Sequence, residues 1–289
     1  MSCFQRFIEL NQLDFDGDVV SIDGKTMRGT DVGRQDAVHV IIAWSNDHGI
    51  TLAALESKGK KNEIKTIPDV IDLLNIEGVT ITTDAMGCQR KIASKIIDSK
   101  NDYVLQVKGN QKGLLEEIQT TYQWLASRDF LGVNHGTCET VEKSHGRIEV
   151  RRYTQFELPS WFEHQEGWSK LVSVIRVERT REIRGVQSTE VSWYISSLSL
   201  NVNKAAVAVR RYWGVENGLH WRLDVIFDDD SCGIHSGFGA INFSIIKRFC
   251  MNLFTKDEAK MPLRRKVMLA TINDDYRQTD IERPTKSLF

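Results

Sequence analysis

Three acidic residues of this sequence lie where carboxylate groups could do metal chemistry. Asp23 and Asp84 each end a short run of apolar and β-branched residues, and Glu216 lies in a segment with helical periodicity. Three ionised carboxylates repel one another unless cations lie between them. Mg²⁺ prefers hard oxygen ligands and completes its shell with water and substrate phosphate. The acids therefore predict a metal site at which two ions would stabilise the attacking and leaving oxygens of a phosphoryl displacement.

Glu216 is predicted to lie on the buried face of its helix. Residues at spacings of three and four around it are mostly apolar, whereas Lys204, Arg211 and Arg222 lie on the opposite side. A buried carboxylate is costly unless it is paired, hydrogen-bonded or bound to a metal. The alternative to a metal site is a structural ion pair with a nearby arginine. The predicted buried face comprises Val202, Ala206, Val209, Trp213, Glu216, His220 and Leu223.

Each candidate also has an ordinary structural interpretation. Asp23 precedes Gly24, a pattern typical of a turn, and Asp84 could cap the helix that follows it. A lone cysteine is more often a packing residue than a reactive one. Cys88 is expected to be such a packing residue, and His145 and His220 are expected to have structural or hydrogen-bonding roles. Trp213 and Trp221 are expected to pack in the core, and Asp228–Asp230 are expected to form a solvated acidic turn.

Alternating strands and helices predict an α/β fold for the first half of the chain. Three strands form an antiparallel meander, and two further strands follow helices through crossover connections. If the fourth strand pairs with the first, the order is 3-2-1-4-5, and Asp23 and Asp84 lie at the sheet edge where α/β folds place their sites. The predicted strands are Asp18–Asp23, Asp36–Ser45, Ile50–Glu56, Val79–Asp84 and Asp102–Val107, and the predicted helices are Glu63–Leu74, Gln89–Ser99 and Leu114–Leu125.

A β-rich insertion at residues 127–200 is predicted to separate the fifth strand from the Glu216 helix. It divides the chain into a first part of the core (1–126), the insertion (127–200), and the Glu216 helix with the C-terminal helices that complete the core (201–289). Arg184 and Gly185 predict a hairpin tip. The predicted strands are Arg147–Phe156, Leu171–Arg179 and Thr189–Ser196, and the predicted helices are Arg264–Ile272 and Asn242–Phe254, the latter with Phe243, Ile246, Cys250 and Leu253 on one face.

The composition of the 289 residues, with 41% hydrophobic and 27% charged, is ordinary for a globular protein. Five scattered cysteines without a CxxC pair predict neither a zinc site nor a disulfide framework, and they favour a reducing compartment. Neither a signal peptide nor an apolar run of membrane length is present in the sequence, so a cytoplasmic protein is expected. The net charge is −1, but local basic clusters make a phosphate-binding surface plausible. These clusters are Lys58, Lys60 and Lys61; Lys143, His145, Arg147, Arg151 and Arg152; Arg176, Arg179, Arg181 and Arg184; Lys247 and Arg248; and Arg264, Arg265 and Lys266.

Seven segments in a fixed order resemble the H-repeat-associated (Rhs-linked) group of bacterial insertion-sequence DDE transposases. The similarity runs from about Val19 to Lys266 and is specific because several multi-residue motifs match in sequence. The segments are VVSIDGKTMRG, KNEIKTIPDVIDLL, ITTDAMGCQRKIA, DYVLQVKGNQ, EKSHGRIEVR, WYISSL and RYWGVENGLHWRLDV.

The resemblance implies a ribonuclease H-like fold with a β-rich insertion. It implies that Asp23, Asp84 and Glu216 form the catalytic triad and hold two Mg²⁺ or Mn²⁺ ions. It further implies cleavage of DNA at element ends, joining of the 3′-hydroxyl to target DNA, a nucleoid-associated location and a possible homodimer. Basic side chains would contact the DNA backbone, an interaction that weakens with salt. The expected phosphate contacts are Lys108, Arg147, Arg211 and Arg222.

The sequence departs from the family pattern at three places. Tyr212-Trp213 and Asp229-Asp230 stand where His-Trp and Glu-Asp are expected. Family members also carry an extra segment before the first strand, whereas Met1 begins just short of that strand. The main alternative is therefore a truncated, transposition-defective DNA-binding remnant that lacks the N-terminal segment. A third hypothesis is an unrelated ribonuclease H-like nuclease.

Overall fold

The computed structural model describes residues 2–31, 37–59, 62–144, 147–234 and 238–278. The chain divides into two compact units, Met1–Val79 with Trp213–Phe289, and Thr80–Tyr212. Several predictions lie outside the described residues: the start of the second strand at Asp36, the cluster members Lys60, Lys61 and His145, and the chain end from residue 279. Within the described ranges, every helix is too short or too polar to cross a membrane.

The first unit contains an antiparallel meander of three strands, as predicted. Each strand alternates its side chains between two faces, and the central strand is buried along its whole length. Helix α2 covers this sheet and has the predicted bounds, ending at Asn75 in the left-handed conformation that often closes helices. The elements are α1 (Cys3–Leu10), β1 (Val19–Thr26), β2 (His39–Ser45), β3 (Ile50–Ser57) and α2 (Glu63–Leu74).

Strand β1 extends three residues beyond its predicted end, so the interpretation of Asp23 and Gly24 as a turn is wrong. Asp23 pairs with Ile42 of β2 within the strand. A Cβ atom at Gly24 would lie 2.6 Å from Nε2 of His39 and 2.8 Å from Oε1 of Glu63. Glycine occupies this position because a buried His39–Glu63 pair, with Nε2 and Oε1 2.6 Å apart, presses against the strand.

The second unit contains one sheet of six strands that continues from the core into the insertion. Strands β4 and β5 are parallel, and β9 pairs with β5 in the antiparallel direction. The insertion therefore joins β5 through the backbone hydrogen bonds of β9. The pairing of the first and fourth predicted strands stays a prediction. The elements are β4 (Thr80–Thr83), α3 (Arg90–Asp98), β5 (Asp102–Val107), α4 (Lys112–Ala126), β6 (His135–Ser144), β7 (Arg147–Glu157), β8 (Ser173–Ile183), β9 (Val186–Ser196) and α5 (Val202–Tyr212), with the strand order β4-β5-β9-β8-β7-β6.

The insertion contains one strand more than predicted. Strand β6 was missed because its sequence, HGTCETVEKS, has no apolar run and most of its side chains are exposed. The tip of the next hairpin is confirmed, since Arg184 and Gly185 both have positive φ, the geometry of a tight two-residue turn.

The first unit is completed by the C-terminal helices α6 (Trp221–Phe227), α7 (Gly239–Lys256), α8 (Leu263–Ile272) and the short α9 (Asp274–Tyr276). The predicted apolar face of α7 is wrong, because Phe243 and Ile246 are exposed. The buried face is partly polar. Asn252 accepts from the Thr51 amide at 2.8 Å and donates to its carbonyl at 2.7 Å, so these buried polar groups are satisfied by strand β3.

Candidate functional site

Glu216 lies in a wide turn between α5 and α6 rather than in one regular helix. Residues Glu216–His220 form a π-helical segment, in which the amide of Trp221 donates to the carbonyl of Glu216. π-helical turns are rare in proteins, and many of those that occur lie at functional sites. A Cβ atom at Gly214 would contact Oδ1 of Asn46, so glycine at this position lets the chain approach the meander without a shift of the Asn46 side chain.

The prediction that Glu216 is buried is wrong. Its side chain is 62% exposed, and Trp213 and Trp221, predicted in the core, are 50% and 57% exposed. Other members of the predicted stripe, Ala206, Val209, His220 and Leu223, are buried as predicted, so the regular spacing fails at Trp213 and Glu216, where the regular helix is interrupted. In the core, Val215, Leu219 and Leu223 pack with Met27, Val40, Ile42 and Trp44.

Asp23, Glu216 and His220 converge on one point of the first unit. Nδ1 of His220 lies 3.3 Å from Oε2 of Glu216 and 3.8 Å from Oδ2 of Asp23, and one ligand atom from each residue lies within 4.8 Å of the others. Asp23 is half-buried on β1, and His220 is buried. Two carboxylates and an imidazole are suitable ligands for a divalent cation, so this donor set fits the metal that the sequence predicts.

A lysine ties the helix of this site to the strand. Lys25, two residues after Asp23 on β1, has its Nζ atom 2.7 Å from Oδ1 of Asp224 and 3.4 Å from Oδ1 of Asp230. Asp224 lies two helical turns after Glu216. The ion pair therefore fixes α6 against β1 near the point where Asp23 and Glu216 meet.

The surroundings favour the ionised form of Glu216. The hydrogen bond with His220 lowers the pKa of Glu216 most, and the positive charge of Lys25 lowers it further, against a smaller opposing effect of burial. Glu216 is therefore a carboxylate at neutral pH, the form that can bind a cation.

Asp84 follows β4 in the second unit and caps a short 3-10 helix, Ala85–Gly87. Its Oδ1 accepts from the amide of Gly87 at 3.2 Å, so Asp84 is a capping residue, but it caps this short turn and not α3, whose N-cap is Gln89. The loop after β5 supports this turn, because the side chain of Asn110 donates to the carbonyl of Ala85 at 2.6 Å. Capping occupies one carboxylate oxygen and is compatible with a ligand role, and the membership of Asp84 in the metal site stays a prediction.

The predicted solvated turn at Asp228–Asp230 is wrong at its centre. Asp229 is fully buried, with its carboxylate 3.3 Å from Nζ of Lys247 and 3.5 Å from Nη2 of Arg248. Burial lowers the pKa of Arg248, which is completely enclosed. The prediction that Lys247 and Arg248 belong to a phosphate-binding surface is therefore wrong. It is also wrong for Lys266, which is buried and whose Nζ donates to the carbonyls of Phe254 at 3.0 Å and Asp257 at 2.6 Å.

The four basic residues predicted to contact DNA lie on different elements. Lys108 is exposed after β5, and Arg147 is exposed at the start of β7, with its Nε 3.5 Å from Oε2 of Glu149. Arg211 lines a cavity of about 330 Å³ beside α5, β6 and β7. Arg222 lines a cavity of about 540 Å³ beside α6, together with Arg264. Their contact with DNA stays a prediction.

Two residues of the site were not predicted as functional, Lys25 and His220. Both carried a signal in the sequence. Lys25 lies on the same strand face as Asp23, and His220 lies four residues after Glu216, the spacing at which helical side chains meet.

The chain is similar to known transposases along most of its length. Residues 14–253 match the family described as Transposase DDE domain. The H repeat-associated putative transposase YhhI of Escherichia coli (strain K12) is 36% identical over 282 residues, which cover 95% of this chain and 74% of YhhI. The putative protein YbfL of the same strain is 37% identical over 282 residues, with the same shares of the two chains covered.

The fold is similar to that of a piggyBac transposase in a synaptic complex with hairpin DNA, solved by cryo-EM. The TM-score is 0.50 at 11% identity, and the match covers 94% of this chain and 54% of that one, so the chain spans about half the length of the solved protein. This similarity confirms the predicted ribonuclease H-like fold. The chain belongs to the Transposase DDE domain family, and its resemblance to the H repeat-associated group is confirmed.

Proposed function

We propose that this protein cleaves DNA at the ends of an insertion sequence and joins the freed 3′-hydroxyl to target DNA. The observation that carries the proposal is the convergence of Asp23, Glu216 and His220 within 4.8 Å in a chain of the Transposase DDE domain family. Asp84 joins this site by its position in the family pattern, directly after the fourth strand.

In this proposal Asp23, Asp84 and Glu216 hold Mg²⁺ or Mn²⁺. Two such ions, when bound, would stabilise the charge that develops on the attacking and leaving oxygens. The protein's own contribution is to keep the carboxylates ionised and in position. The lowered pKa of Glu216 maintains its charge, and the Lys25–Asp224 ion pair fixes the helix that follows it.

The proposed reaction requires the protein to bind DNA. Lys108, Arg147, Arg211 and Arg222 would contact backbone phosphates, which position the duplex without reading its sequence. Arg147 is already paired with Glu149, so DNA binding at this residue would compete with an ion pair. We therefore expect Lys108 and Arg222 to contribute more to DNA affinity than Arg147.

The test is metal-dependent cleavage of a labelled duplex that carries the sequences flanking this gene. The full chain is compared with Glu216→Gln, which keeps the size of the side chain, and with Glu258→Gln, an exposed glutamate of the same unit. We expect Glu216→Gln to lower the cleavage rate by about 10³-fold or more, since such losses are usual when a catalytic group is removed. Glu258→Gln should cleave at the rate of the unmodified chain.

Two results would contradict the proposal. Cleavage of equal rate in Glu216→Gln would remove Glu216 from the mechanism. Salt-sensitive DNA binding by the folded chain, without cleavage in Mg²⁺ or Mn²⁺, would favour the DNA-binding remnant instead of the enzyme.

A further inference from the structure

His220 stands out in the site because its imidazole faces two carboxylates. The side chain is more than nine-tenths buried, and its Nδ1 atom points to the space that Asp23 and Glu216 share. Among the described residues its other nitrogen, Nε2, has no hydrogen-bond partner, so the polar contacts of the ring are those of Nδ1.

The distances around Nδ1 are those of ligands around one ion. The contact with Oε2 of Glu216, at 3.3 Å, is long for a hydrogen bond to a carboxylate, and the 3.8 Å separation from Oδ2 of Asp23 is beyond hydrogen-bond range. Ligand atoms that each lie about 2.0–2.2 Å from a shared cation are separated by about 3–4 Å. One imidazole also cannot balance two carboxylates, whereas a divalent cation can.

We propose that His220 is a ligand, through Nδ1, of the divalent cation that Asp23 and Glu216 share. The inference deepens the proposed function and rests on it for the role of that cation. Imidazole nitrogen suits first-row transition metals, whereas Mg²⁺ prefers oxygen ligands. A site of two carboxylates and one imidazole therefore binds Mn²⁺ in preference to Mg²⁺.

The wide turn explains how a helix presents this ligand pair. Glu216 and His220 are the first and last residues of the π-helical segment, and both side chains reach the side that faces Asp23. Leu219 and Leu223 are fully buried and hold the segment in place.

The experiment is pulsed electron paramagnetic resonance of Mn²⁺ bound to the full chain, with ordinary histidine and with ¹⁵N-labelled histidine. A coordinated imidazole couples its nitrogen spin to Mn²⁺, and the label changes that coupling. Mn²⁺ and Mg²⁺ affinities are then measured for the unmodified chain, for His220→Asn and for a matched control, His164→Asn. His164 also pairs with a glutamate, with its Nδ1 2.6 Å from Oε2 of Glu117, but it belongs to the other unit.

We expect a histidine nitrogen coupling in the unmodified chain and in His164→Asn, and its loss in His220→Asn. The asparagine amide can occupy the place of Nδ1 and donate to Glu216, so it preserves an orienting role but removes the imidazole. His220→Asn should weaken Mn²⁺ binding by about tenfold or more, the scale of losing a residue that supports a metal site, and change Mg²⁺ binding much less.

Three results would overturn the inference: bound Mn²⁺ without histidine coupling, coupling that persists in His220→Asn, or equal losses of Mn²⁺ and Mg²⁺ affinity. If His220→Asn does not fold, the labelled unmodified chain decides by its coupling alone, with Glu216→Gln to assign the site. The two proposals fail separately. Histidine-coupled Mn²⁺ without DNA cleavage would reject the transposase function only, and Glu216-dependent cleavage without coupling would reject the role of His220 only.

Discussion

Lys25 and Asp224 join strand β1 to helix α6 through an ion pair in which Nζ lies 2.7 Å from Oδ1. Lys25 is almost fully buried, and a second carboxylate, that of Asp230, lies 3.4 Å from the same Nζ. The strand carries Asp23 and the helix follows Glu216. The pair thus acts on the geometry of the candidate site without belonging to its metal ligands.

Removing this lysine should destabilise the fold and disturb the site. In Lys25→Met the carboxylate of Asp224 loses its cation, and that of Asp230 keeps Arg28, 3.9 Å away. Because both carboxylates are about a third exposed, we expect a loss of about 2 kcal/mol in the free energy of unfolding, less than for a fully buried pair. Urea unfolding of the variant measures this loss. The control is Lys112→Met, whose exposed pair with Glu116 at 3.7 Å should contribute less than about 1 kcal/mol. Equal effects of the two substitutions would show that Lys25 holds nothing in place.

The buried Asp229 should be needed for stability although it lies in an acidic run. Asp229→Asn removes the charge that faces Lys247 and Arg248. An unpaired arginine in the interior costs about 3–5 kcal/mol, so we expect a large fall in the unfolding free energy. Asp228→Asn is the matched control, because Asp228 is exposed and has a left-handed φ of 50° that asparagine also accepts. A thermal melt of Asp229→Asn that matches that of Asp228→Asn would contradict the structural role.

A pH-dependent interaction ties strand β6 to helix α5. Glu142 accepts from Nε and Nη2 of Arg210 at 2.9 and 3.1 Å, and this bond, with the nearby charge of Arg151, lowers the pKa of Glu142 from 4.5 to about 2. Because the pKa is lower in the folded state, the stabilisation is complete above pH 4.5 and is lost as the pH falls toward 2. The carboxylate is partly exposed, so we expect less than about 1 kcal/mol.

Urea unfolding at pH 6 and pH 2.5 tests this interaction. Glu142→Gln should be less stable than the unmodified chain at pH 6, and the difference should shrink at pH 2.5. A difference that grows on acidification would have the wrong sign for a lowered pKa.

The DNA contacts should appear in the salt dependence of binding. Lys108→Ala and Arg222→Ala are each expected to weaken binding to any duplex and to reduce the slope of log affinity against log salt by about one. The control is Arg128→Ala, an exposed arginine that stacks on Trp124 with 4.3 Å between its guanidinium carbon and the ring centre. Unchanged slopes in both test variants would place the DNA elsewhere on the protein.

The sequence predicted those elements whose structure depends on local pattern. Helix α2 and strand β5 have their predicted bounds, because a regular apolar period and clear end residues define each of them. Strand β6 has no such period and was missed. Strand β6 pairs with β7 through backbone groups along its whole length, from His135 opposite Phe156 to Ser144 opposite Arg147. This pairing does not require an apolar face on β6.

The sequence pointed to Asp23 and Glu216, the two acids that the structure brings together, but it did not indicate their surroundings. A count at regular helical spacing cannot detect the wide turn at Glu216–His220, which reverses the expected burial of Glu216. The partners of Lys25 and Asp229 lie 199 and about 20 residues away along the chain, so local pattern does not indicate them. Local pattern also does not indicate the buried polar face of α7, because Asn252 on this face forms its hydrogen bonds with Thr51, which is distant in the sequence.

The central claim is that Asp23, Asp84 and Glu216 act as one metal-dependent site. The most direct measurement is the Mn²⁺-dependent cleavage rate of Asp23→Asn, Asp84→Asn, Glu216→Gln and the Asp84→Asn/Glu216→Gln double variant on the same flanking duplex. Residues that act as a unit are strongly non-additive. We predict that each single variant falls to the background rate and that the double variant is no slower. Cleavage by Asp84→Asn at the rate of the unmodified chain would contradict the claim.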